Sequence, residues 1–155
     1  MTIISELRAI RSDMHTRCNN PNFVHYVNYG GRGITLCDHW TGNSANFIEW
    51  ALISGYISGL EIDRRDNDKG YSPENCRWVT SSINSCNRRK PITNTTGYIG
   101  VVVDNEKYRK KKFRVHIVVG GKKLLTSRHL TALEAAQARE QFIIDNDLPC
   151  TLNFK

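Results

Sequence analysis

Three oxygen-bearing side chains define the chemistry this sequence can carry: Asp63, Asn75 and Asn84, in the stretch LEIDRRDNDKGYSPENCRWVTSSINSCNRRK at 60–90. A carboxylate and an amide carbonyl are hard donors. They suit a divalent cation such as Mg²⁺, which takes few protein ligands and keeps several waters. Around them stand Arg64, Arg65, Arg77, Arg88 and Arg89. Guanidinium groups match phosphate in charge and in donor geometry, and match a neutral substrate poorly.

The elements that must position these groups can be read locally. Leu60-Glu61-Ile62 is a short apolar strand that delivers Asp63, and a loop of charge and turn residues follows over 64–73. Asn75 to Val79 alternates polar and bulky residues as a strand does. Thr80, Ser81 and Ser82 all suit an N-cap, which predicts a short helix over 83–89. Strand, loop, strand and helix bring Asp63, Asn75 and Asn84 within reach of one another.

The stretch resembles the ββα-metal core of HNH endonucleases, in the phage-type branch that reads "IDR.DN..GY.PENCRW.T". The likeness is close over 59–78 and looser to Arg89. It implies that Asp63 binds the metal and that Asn75 braces the loop through backbone hydrogen bonds. It also implies a helix ligand nine residues after Asn75, which is Asn84, with Asn87 the competitor one turn further on. The family places a general-base His directly after the Asp, where this chain has Arg64. The base is therefore expected elsewhere, at His39 first and then His25 or Tyr29, with Arg64 as a phosphate clamp. A second segment, FVHYVNYGGRGITLCDHW at 23–40, matches the branch's "Y..YGGRGI..C..W". Gly30-Gly31 allows close approach to a phosphate or to another chain segment. Arg32 suits either a phosphate or a carboxylate such as Asp38. The implied activity is divalent-metal-dependent cleavage of DNA phosphodiesters, as in phage or homing endonucleases, with Mg²⁺ the expected ion and Mn²⁺ its substitute.

Elsewhere the first 90 residues read as support. Ile3, Leu7, Ile10 and Met14 recur at helical spacing over 2–18, and 43–54 is a second helix with Ser44 as its cap. Residues 91–96 read as a linker. Three strands follow, over 97–103, 112–119 and 122–128, the last two joined by Gly120-Gly121. Thr131 and Glu134 form a capping box for a helix running to about Asp145, and 147–155 is a tail. This second unit is similar to an AP2 (ERF-like) DNA-binding domain. The likeness is carried by Gly97, Gly100-Val101, Phe113-Arg114-Val115, Gly121-Lys122 and the TALEAAQAR helix. The expected architecture is α+β: an HNH-like module over 1–90, then a three-stranded antiparallel sheet packed on one helix over 97–146.

Charge agrees with a polyanionic partner. The net charge is +7, and residues 91–155 carry +5 of it. Between Lys107 and Arg128 there are nine Lys and Arg and no acid, so double-stranded DNA contacts are expected from Arg109, Lys112, Arg114, His116 and Lys123. No apolar run of about 18 residues is present, and the first residues lack a signal-peptide core, so a cytoplasmic protein without a membrane span is expected. Five cysteines without a C-x-x-C pair read as reduced thiols, with no zinc site expected. Two readings compete with the endonuclease. One is a DNA-binding regulator whose nuclease fold has lost activity. The other is an accessory phage protein that binds a host protein. Oligomeric state is not legible.

Overall fold

Thr2 starts the first helix, its hydroxyl accepting the Ser5 N–H as an N-cap. Helix α1 (Ile3–Asn19) then turns Leu7, Met14 and Cys18 inward. The computed structural model describes residues 2–87, 89–91 and 93–154, and its contacts divide the chain into two compact units, 1–81 and 82–155. The architecture is mixed α+β.

In the first unit two 3₁₀ turns, Tyr26–Asn28 and Gly30–Arg32, lead to α2 (Asp38–Gly42) and α3 (Ser44–Ile53). Asn43, not Ser44, caps α3, accepting the Ala45 N–H at 2.9 Å. Trp40, Phe47, Trp50, Tyr56 and Trp78 form one aromatic core, with centroids 4.6 Å apart for Trp40–Trp50 and for Tyr56–Trp78. Arg11 closes the end of α2 by donating to the carbonyls of Trp40 and Thr41. Gly30 is required by closeness: a Cβ there would sit 1.9 Å from the Cys18 carbonyl oxygen. Gly30 thus serves close approach to a chain segment, the end of α1.

Strands β1 (Glu61–Arg64) and β2 (Cys76–Val79) pair antiparallel, with Asp63 opposite Arg77 and Arg64 opposite Cys76. Helix α4 (Ser81–Cys86) follows after a single residue.

In the second unit β3 (Val101–Val103), β4 (Phe113–Val119) and β5 (Lys122–His129) form an antiparallel sheet in that order, and α5 (Ala132–Asp145) packs on all three strands. Val101, Val115 and Ile117 face the helix, where buried Ala135 and Ala136 let it approach closely. Gly120 and Gly121 both take positive φ, as a two-residue type I′ connection requires. Thr131 caps α5 by accepting the Glu134 N–H at 3.1 Å, while the Glu134 carboxylate reaches back to the Leu130 N–H.

The sequence boundaries shift in several places, among them the short helix, which spans Ser81–Cys86 where 83–89 was expected. The unit boundary lies at 81/82, not at 90, because α4 packs with the second unit: Cys86 joins the cluster of Ile117 and Ile143, and Thr151 donates to Asn87 at 2.6 Å. At the end of the stretch expected as a linker, Asn94 Oδ1 accepts the Gly97 N–H and Thr96 donates to the Val101 carbonyl. These bonds occupy the backbone before Val101, so β3 is shorter than 97–103. The tail is also fixed. Buried Glu140 accepts the N–H groups of Asn153 and Phe154, and Arg139 donates to the Thr151 carbonyl. Among the described residues no helix is long and apolar enough to cross a membrane.

Candidate functional site

The loop between β1 and β2 is tied down from three directions. Asn75 is buried at its end, and its side chain works as a small piece of backbone. Its Oδ1 accepts the Asp66 N–H at 2.9 Å, while its Nδ2 donates to the carbonyls of Asp66 and Gly70 at 3.0 and 2.9 Å. The backbone closes the same ring, Arg65 N–H donating to the Asn75 carbonyl at 2.7 Å. From the second side Arg32 donates to the carbonyls of Asn28 and Asn67 and pairs with Asp68 at 3.0 Å. Arg32 thus meets a carboxylate, and the carboxylate is Asp68, not Asp38. From the third side Tyr71 N–H donates to Thr35 and Cys37 N–H donates to Tyr71, a parallel bridge beside the loop.

Asp63 and Arg64 part company because successive strand residues face opposite ways. Asp63 is 2 % exposed and meets Arg77, directly across the pair, with Nε–Oδ2 at 2.8 Å. Arg64 turns into the protein and is 7 % exposed. Its Nη1 donates to the carbonyls of Asn67 and Lys69, and its guanidinium lies over the rings of Tyr71 and Tyr29 at 5.0 and 5.4 Å. Committed to these carbonyls and rings, Arg64 braces the loop where a phosphate clamp was expected. Burial pushes the Tyr71 hydroxyl up despite the nearby Arg64, and pushes the Cys76 thiol up to about 12.

The remaining expected residues are dispersed. His39 is exposed on α2, its ring Nδ1 3.4 Å from the Asn46 amide. His25 is exposed and meets Phe23 edge-on, and Tyr29 is engaged with Arg64 and Arg17. Arg65 and Arg89 are exposed, while Arg88 lies outside the described residues. Asn84, half-buried, and Asn87, buried, belong to the second unit, so Asp63 and Asn84 fall in different units. Among the described residues no three His, Cys, Asp or Glu side chains gather as a metal-binding group; one carboxylate with amide oxygens would need none. The donors are chemically right for Mg²⁺. A cation at Asp63 must share that carboxylate with the Arg77 guanidinium.

In the second unit the face of the sheet opposite α5 carries Val102, Arg114 and Arg128 in one register row, then His116 beside Thr126, then Val118 beside Lys123. His116, Lys112 and Lys123 are exposed. Arg109 is engaged within its own turn. It pairs with Glu106 and lies 3.7 Å from Asp104, and Asp104 also pairs with Arg128 at 2.8 Å. This charge ladder escaped the sequence because Asp104 and Arg128 meet only through the sheet. No local pattern announces them.

Comparison with known proteins found no matching family model, no matching curated protein and no matching solved structure.

Proposed function

We propose that this chain is a divalent-metal-dependent DNA endonuclease of the phage or mobile-element type, its second unit holding DNA on the open sheet face. The observation that supports the reading is the β1–loop–β2 hairpin, whose loop Asn75 braces and whose first strand carries buried Asp63. Asp63 is the metal ligand this reading assigns in the first unit. The ion, when bound, supplies positive charge for the phosphate and the leaving oxygen. The chain's own residues do the rest. Asn75 fixes the loop, exposed Arg65 offers a phosphate contact at its entry, and His39 is the candidate to take the water's proton. Exposed Lys112, His116 and Lys123 hold the backbone of double-stranded DNA.

One observation favours a second reading, a DNA-binding regulator without catalysis: Arg77 already compensates Asp63. Nicking of supercoiled plasmid at low salt separates the two. Wild type, Asp63→Asn and His39→Ala are compared in Mg²⁺, in Mn²⁺ and in EDTA. Metal-dependent nicking that Asp63→Asn abolishes supports the endonuclease, and a loss in His39→Ala identifies the base. Retarded plasmid without any nicking supports the regulator.

A further inference from the structure

The turn that crosses from β3 to β4 presents one aromatic ring to solvent. Tyr108 is 92 % exposed, and Lys107, Lys110, Lys111 and Lys112 around it are exposed as well. The turn is nevertheless fixed. Arg109 N–H donates to the Glu106 carbonyl, the two side chains pair, and Asp104 N–H donates to the Lys112 carbonyl at 2.7 Å. Through Asp104 the turn is tied to Arg128 on β5. Tyr108 is thus held out on an anchored base, with only its own two torsions left to order on binding.

A solvated ring among lysines, on a turn anchored to the sheet, has the two components of a single-strand contact: charge for the phosphates and a π-face for a base. A base stacked inside an intact duplex offers no face to such a ring. The turn carries no second large apolar side chain that would enter a lipid layer, and its neighbours continue the basic sheet face. We propose that Tyr108 stacks on an unpaired base, so that the second unit prefers DNA in which a nucleotide is displaced from the helix, as at a bulge or a gap. This rests on the DNA-binding reading above.

The test uses the full chain and fluorescently labelled 20-mer duplexes, one fully paired and one with a single bulged 2-aminopurine. Wild type, Tyr108→Phe and Tyr108→Ala are titrated at low salt. The wild type and Tyr108→Phe are expected to bind the bulged duplex about 5- to 150-fold tighter than Tyr108→Ala does, the range that one base–aromatic stack gives. They should also quench the 2-aminopurine, while all three bind the paired duplex alike. Equal binding of the bulged duplex by Tyr108→Ala, with the paired duplex still bound, overturns the stacking proposal and leaves the DNA reading standing. Binding of neither duplex overturns both, and binding to anionic vesicles in that case assigns the turn to a lipid surface.

Discussion

Removal of the Asn75 side chain offers the most direct test of how the β1–β2 loop is held. Asn75→Ala deletes three hydrogen bonds, one accepted from Asp66 and two donated to Asp66 and Gly70, all between 2.9 and 3.0 Å and part-buried. At about 1 kcal/mol net for each bond the loss is about 3 kcal/mol. The three tryptophans, 40, 50 and 78, all lie in the first unit, so their fluorescence during urea unfolding reports on that unit alone. With a urea slope of about 1–2 kcal/mol per molar, the midpoint should fall by about 1.5–3 M. Asn75→Asp sharpens the test. It keeps the acceptor for Asp66 N–H but sets an ionised carboxylate against two carbonyl oxygens. That environment raises its folded pKa above the unfolded value. The variant's stability relative to wild type is therefore greatest below the unfolded pKa and declines as pH rises through the folded one. A loss below about 1 kcal/mol for Asn75→Ala, with the slope unchanged, would refute the bracing role and leave Arg32 and Arg64 as sufficient ties.

Two further outcomes follow from the same unit. Gly30→Ala would drive a Cβ to 1.9 Å from the Cys18 carbonyl and 2.3 Å from the Tyr26 ring, so α1 and the 3₁₀ turn must separate. A loss of about 3 kcal/mol or more is expected in thermal melts, against less than about 1 kcal/mol for Gly31→Ala, whose new Cβ would meet Tyr26 at 3.2 Å. Arg77→Met removes the guanidinium from buried Asp63 and should cost about 3 kcal/mol, much of it recovered in the Asp63→Leu/Arg77→Met double variant. Additive costs in that cycle would show that the pair does not couple.

What could be read from the sequence was local. The period-two alternation of β4, the Gly120-Gly121 connection and the Thr131 cap each sit within a few residues and appear as expected, and the apolar stripe of α1 does so at Leu7 and Met14, while Ile3 at its start is exposed. What could not be read was joined over distance by polar side chains. Thr151 reaches Asn87 across 64 residues, and Asn153 holds the Ile99 backbone across 54. Such bonds fix the unit boundary and order the tail, yet a threonine or asparagine near a terminus carries no sign of its partner. Arg32 illustrates the same limit at shorter range. A carboxylate partner was open to it from composition, but Asp68 became that partner only because the loop folds back on the 3₁₀ turn.

The arginines sort themselves by which strand face or loop edge they leave. Arg32, Arg64 and Arg77 are committed to protein groups, whereas Arg65 remains at the surface. This sorting bears on Arg64 most of all. Arg64 is buried, set against two tyrosine rings and bonded to two loop carbonyls. Burying a guanidinium costs several kcal/mol unless its donors are met, and here the Asn67 and Lys69 carbonyls meet two of them. Arg64 therefore belongs to the bracing of the loop together with Asn75 and Arg32, and on the proposed endonuclease reading the base comes to the Asp63 side of the hairpin from another element. On that side β1 presents a carboxylate and β2 presents Arg77. The two proposed readings accordingly part on whether Arg77 yields Asp63 to a metal ion or keeps it.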